Sequence, residues 1–218
     1  ALGDGALSSN TTGENNTALG NLALYANTSG MKNTASGYGA LLSNTTGYEN
    51  TATGSRALAS NTTGYFNTAI GNLTLYSNTT GYSNTASGYQ ALYSNTEGFY
   101  NTASGFGALL SNTTGHSNTA SGYTALMMNT EGFQNTAFGN YALNSNTTGN
   151  RNIAIGGEAL YNNVTGGGNV AIGYQAGYSE TGHNKLYISN SSSTNLIYGD
   201  FSTGDLSLGQ TSGTVSAL

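Results

Sequence analysis

Apolar positions in this chain follow neither the 3.6-residue interval of an amphipathic helix nor a long alternation. They return every 17 residues. One column of Ala runs Ala18, Ala35, Ala52, Ala69, Ala86 and onward to Ala171, and a Leu column runs from Leu7 and Leu24 to Leu160. Polar positions keep the same beat. The pentamer N-T-A-x-G starts at Asn16, Asn33, Asn50, Asn67, Asn84, Asn101, Asn118 and Asn135, with relaxed forms at Asn152 and Asn169. The unit reads N-T-A-x-G-x-x-A-L-x-x-N-T-T-G-x-x.

Unbroken spacing is what a solenoid requires, because an inserted residue would throw every stacked column out of line. A unit of 17 residues is too short for a helix pair, and two Gly per unit with β-branched Thr oppose helix. The pattern predicts an all-β fold: a parallel β-solenoid, or β-roll, over residues 1–178, with a C-terminal β cap over 179–218. Two short strands per turn are expected, "NTAxG" and "xxALx", joined by "SNTTG" turns. Gly47, Gly64, Gly81, Gly98, Gly115 and Gly132 are read as turn glycines, and Gly and Asn as suppliers of positive-φ corners. Ala implies a narrow interior, and stacked Asn side chains imply amide ladders. Eleven turns at ~4.8 Å make a rod of roughly 50 Å. So thin a coil buries little, so the Leu column and the aromatic columns are expected to need another surface. Side-by-side association, most simply as a trimer, would supply it.

Composition sharpens this. Only 6% of residues are charged and the net charge is −5, with four Lys or Arg in all. Nucleic-acid binding needs clustered cations, so that partner is not expected. The chain has no Pro, leaving every backbone N–H able to join a ladder, and no Cys, so redox compartment is unreadable. No apolar run reaches the ~20 residues of a membrane helix, so no membrane insertion is expected in this segment. The chain opens in mid-motif, at "ALGDGAL", which predicts a fragment of a longer protein.

The later copies, "NIAIGGEALYNN" and "GNVAIGYQAGY", resemble the head repeats of YadA-like trimeric autotransporter adhesins. The resemblance covers roughly residues 1–178 and implies a β-roll intertwined as a homotrimer. The period departs from that family's shorter unit, since "SNTTG" lengthens one turn, and most copies carry Thr where the family has Val. The tail, "GYQAGYSETGHNKLYISNSSSTNLIYGDF", is similar to segments that follow such repeats in phage tail-fibre and bacterial surface chains. Many of those end in a self-cleaving chaperone domain, which is not visible here. The pieces "KLYIS", "NLIYGDF" and "LSLG" are expected to cap the open edge.

Candidate chemistry is sparse. Tyr48, Tyr65, Tyr82, Phe99, His116 and Phe133 fall in one column, one per turn, and Tyr38, Tyr89, Phe106, Tyr123 and Tyr174 in a patchier one. Stacked aromatics bury area between chains or, if exposed, offer a platform to a host-surface glycan or receptor. Glu97 and Glu131 lie two turns apart, ~10 Å by stacking, near the ~6.5–9.5 Å carboxyl separation of inverting glycosidases. Nothing in the sequence around them would raise a pKa, and solvated turn residues are the expectation. Asp4, Asp200 and Asp205 are too scattered for a calcium loop, and no metal or cofactor is expected. The sequons at Asn10, Asn27, Asn44 and Asn61 follow from the turn sequence. "VTGGGN" (164–169) lacks the P-loop Lys.

The reading is therefore a non-enzymatic structural and binding protein. It would be the shaft or head of a trimeric fibre on a phage, an injection device or a bacterial surface. The alternatives are an ice-binding solenoid, with Thr and Asn ladders ordering water, and third a glycan-cleaving tailspike.

Overall fold

The computed structural model describes residues 1–209. Each 17-residue unit makes one turn of a parallel β-solenoid. Strands of three residues, from β1 (Thr17–Leu19) to β10 (Val170–Ile172), stand one per turn. They pair in parallel with no register slip: Thr34 beside Thr51, Ala35 beside Ala52, Ser36 beside Thr53. β11 (Lys185–Ile188) adds in parallel to β10. β12 (Ile197–Asp200) and β13 (Asp205–Leu208) then run antiparallel and end the sheet. The pieces expected to form a cap are these last strands. The remainder of the 179–218 segment, from 210, lies outside the described residues.

Each turn carries one strand, not the expected two. The "xxALx" stretch does bond to its neighbours, as in Leu92 N–H to the Ala108 carbonyl at 3.0 Å, but it is not extended. The Leu of every copy sits in the left-handed region, from Leu143 at φ 50° to Leu7 at 54°. For a bulky residue that costs about 1–2 kcal/mol. In an extended strand, adjacent side chains point to opposite faces. The left-handed Leu breaks that alternation, so Ala91 and Leu92 both face inward and are fully buried. Burying Leu returns ~1.5–3 kcal/mol, enough to hold the strained backbone.

The interior of a middle turn is thus two Ala, one Leu and two Asn. The Leu column is satisfied inside its own chain, so it needs no partner surface. This corrects the sequence-based expectation. Leu92→Ala should lower stability by about 3 kcal/mol. Thermal melts of variant and parent check this.

Both Asn columns form buried ladders. Asn78 Nδ2 donates to Asn61 Oδ1 at 2.8 Å and to the Gly81 carbonyl at 3.0 Å. Asn84 Nδ2 donates to Asn67 Oδ1 at 3.1 Å and to the Gly98 carbonyl at 2.8 Å, while its backbone N–H also reaches Asn67 Oδ1. Buried amides without partners would each cost ~1–3 kcal/mol, and the stacking supplies those partners. The exception is Asn163 Oδ1, which is buried without a partner. At the equivalent place in the next turn stands Glu180, which has no N–H to offer and instead accepts from Tyr187 Oη and the Gly182 N–H.

The expected role of the turn glycines also changes. None of Gly47, Gly64, Gly81, Gly98, Gly115 and Gly132 has a left-handed φ. They are glycines because the Asn ladder and the next turn crowd them. A Cβ on Gly81 would lie 2.4 Å from Asn78 Oδ1 and 2.5 Å from the Gly98 carbonyl oxygen. Positive φ belongs to the other glycine column, as in Gly88 at 129°, and to non-glycine corners. Among the Asn residues that open each unit or precede Thr, none adopts it.

Candidate functional site

The six residues of the first aromatic column form one unbroken stack. Backbone bonds from each turn to the one before, such as Ser83 N–H to the Tyr65 carbonyl at 3.0 Å, fix the ring spacing. Ring centres are 5.0 Å apart for Tyr48–Tyr65, 4.9 Å for Tyr65–Tyr82, 5.0 Å for Tyr82–Phe99, 4.7 Å for Phe99–His116 and 5.1 Å for His116–Phe133. The planes are within 10° of parallel. The Arg151 guanidinium closes one end, 6.0 Å from the Phe133 ring. Burial, then the neighbouring phenols of Tyr82 and Tyr48, push the Tyr65 phenol above its ordinary range. His116 takes its place in the stack, with Nδ1 3.3 Å from Ser117 Oγ.

This geometry limits what the column can bind. The ring faces are spent on one another, and what reaches solvent is a row of ring edges. A sugar ring stacks on a face, and within the column those faces are taken by the neighbouring rings. Two residues that sequence reasoning passed over do offer broad surfaces. Phe66 stands across Tyr48 and Tyr65, and Tyr100 across Tyr82 and Phe99, both edge-to-face. The signal was present: both fall in the column immediately after the ladder. A third stacked column, Tyr76–Tyr93 and Tyr161–Tyr178, was also missed. In the patchier column, Tyr89, Phe106 and Tyr123 stack, while Tyr38 lies under Arg56.

The strand face is a second surface. Thr17, Thr34, Thr51, Thr68, Thr85, Thr102, Thr119 and Thr136 line up along it. The Thr of the "SNTTG" turn differs. Thr45 Oγ1 donates to the Thr62 carbonyl at 3.0 Å, joining the N–H groups of Thr45, Thr46 and Gly47 on that one oxygen. The strand Thr hydroxyls have no such partner among the described residues and meet solvent. Beyond Thr136 the same face becomes apolar. Phe138, Ile153, Ile155 and Ile172 are exposed and in register, with Val170 beside them.

Glu97 and Glu131 are exposed turn residues on separate turns, with Thr114 in the turn between. His183 Nδ1 accepts the Gly167 N–H at 2.9 Å, a corner contact. Among the described residues, no group of three or more His, Asp or Glu could hold a metal, and no helix is long and apolar enough to cross a membrane. The main ion pair of the C-terminal strands is Lys185 with Asp200. Hydrogen bonds from Lys185 and then Ser202 hold the Asp200 carboxyl well below the usual carboxylate range. Burial and then the bond to Glu180 push the Tyr187 phenol up.

A comparison of the chain with known protein families, curated proteins and solved structures gives no match.

Proposed function

We propose that this chain is a shaft or head segment of an extracellular trimeric fibre that projects from a phage, an injection device or a bacterial surface and binds a host glycan or receptor. The observation that carries the reading is the apolar end of the strand face. Phe138, Ile153, Ile155 and Ile172 are large, aligned side chains left in solvent by a chain that fully buries its Leu column from Leu24 to Leu160. A contiguous apolar strip of this kind marks an association surface. Copies of one chain meeting along it would generate a closed symmetric bundle. Stiffness comes from the backbone and amide ladders, and three identical surfaces on one rod raise avidity.

Sedimentation tests this. The expected species is elongated, near three times 22.2 kDa. Ile155→Glu with Ile172→Glu should yield monomers whose circular dichroism is unchanged. A compact monomer from the parent chain would overturn the reading.

A second reading, ice binding, draws on the eight aligned strand Thr with unpartnered hydroxyls. The Asn ladders are internal and cannot take part. Thermal hysteresis near freezing that is lost in Thr85→Glu would favour it over the fibre.

A further inference from the structure

We propose that Phe66 and Tyr100 form a two-ring platform for a neutral, linear β-1,4-linked glycan lying parallel to the rod axis. This rests on the fibre reading and names its ligand class.

The two rings are held alike. Phe66 sits 5.4 Å from both Tyr48 and Tyr65, at 78° and 75°. Tyr100 sits 5.4 Å from both Tyr82 and Phe99, at 79° and 76°. The stacked ladder backs each ring and fixes its orientation, yet Phe66 is 48% and Tyr100 58% exposed. Rigid, half-open aromatic surfaces are suited to sugar rings, whose C–H faces stack on them.

The fold does not require aromatics here. Phe66 and Tyr100 adopt φ of 56° and 55°, in a column that elsewhere holds Asn15, Lys32, Glu49, Ser83, Ser117, Gln134, Arg151 and Gly168. A bulky residue in that backbone costs about 1–2 kcal/mol, which edge-to-face packing on the ladder offsets.

Spacing selects the ligand. The rings are two turns apart, roughly 10 Å. Alternate sugars of an extended β-1,4 chain are separated by nearly that distance and present the same face. The intervening sugar would lie over Ser83, whose hydroxyl, with that of Tyr82, has no protein partner among the described residues. Both can bond sugar hydroxyls. Tyr65, Phe66, Tyr82, Ser83, Phe99 and Tyr100 include no carboxylate or cation, and Glu49, one turn before Phe66, is paired with Lys32, so a neutral glycan fits this span.

The test is calorimetric titration of the intact chain with cellohexaose and chitohexaose, with α-1,4-linked maltohexaose as the control of mismatched spacing. At least one β-1,4 hexamer should bind and maltohexaose should not. Phe66→Asn and Tyr100→Asn should each weaken binding tenfold or more, without lowering the melting temperature, because Asn tolerates this backbone. Tyr174→Ala, at another exposed aromatic, should leave binding unchanged. Absence of binding to both β-1,4 hexamers, or full binding by the double Asn variant, would overturn the proposal. An elongated trimer that ignores both sugars keeps the fibre reading and sinks this one. A compact monomer that binds them does the reverse.

Discussion

Gly81→Val should unfold the middle of the rod at temperatures where the parent chain is intact, with a loss of about 4 kcal/mol or more. The reason is local and unforgiving. Even a single Cβ at Gly81 would press on Asn78 Oδ1 at 2.4 Å, the Gly98 carbonyl oxygen at 2.5 Å and Asn95 Nδ2 at 2.8 Å. Two of these atoms belong to the amide ladder and one to the next turn's backbone, so none can yield without breaking bonds on both sides. Amide exchange should show protection lost first around Gly81 and Gly98, then outward, as expected when each unit contacts only its neighbours. Gly39→Ala makes a fair comparison. There the added Cβ meets only the Arg56 side chain, at 3.7 Å, and φ of 60° supplies the whole penalty. Its cost should be near 1 kcal/mol. Equal melting of the Gly81 variant and the parent would refute the crowding argument.

Asn84→Asp should be nearly as damaging, at about 3–5 kcal/mol near neutral pH. Asn84 is fully buried, and its Nδ2 donates to Asn67 Oδ1 and the Gly98 carbonyl. A carboxylate there faces two acceptors and donates to neither. Its other side still accepts from the Asn101 N–H and Nδ2, so the fault is confined to the lost donors and the buried charge. Desolvation and lone-pair repulsion raise the folded-state pKa above the unfolded value. The folded form then holds its proton more tightly, so the variant loses stability as pH rises from the unfolded pKa, ~3.9, through the raised folded one. The deficit relative to the parent should shrink at pH 3 to 4 and be complete at pH 7. Parallel melts across that range check both sign and size. A deficit that grew on acidification would contradict the ladder assignment.

How much of this was legible beforehand differs from column to column. The 17-residue period, the inward Ala and the Asn ladders were readable because one residue type fills a column in nearly every copy. A chemistry repeated at fixed spacing has to stack on itself. The left-handed Leu was not readable, since propensity rules assign that backbone to Gly or Asn, and only the filled interior sustains Leu92 there. The second expected strand failed with it, and so did the inference that Leu needs a partner chain. Gly81 was read as a turn glycine at a positive-φ corner, and its φ is not left-handed. Its column is set by clearance from the turn below, a long-range fact invisible in local sequence. The Tyr48 to Phe133 stack was seen, whereas the direction of its faces was not. Ring orientation depends on the neighbouring corner, where Phe66 and Tyr100 break an otherwise polar column.

The apolar strip from Phe138 to Ile172 was half visible. The copies "NIAIG" and "NVAIG" had been singled out, but which of their side chains face solvent depends on the pleat of three-residue strands. Alternation places Ala154 and Ala171 inside and the Ile and Val beside them outside.

Diffraction from oriented specimens of the rod is the most direct test of the whole account. Strands crossing the long axis, one to a turn, should give a strong axial reflection near ~4.8 Å, with the sharpness of a repeat running unbroken through ten or so turns. Strands lying along the axis, or a helical 5.4 Å pitch, would show that the units do not pile one upon another.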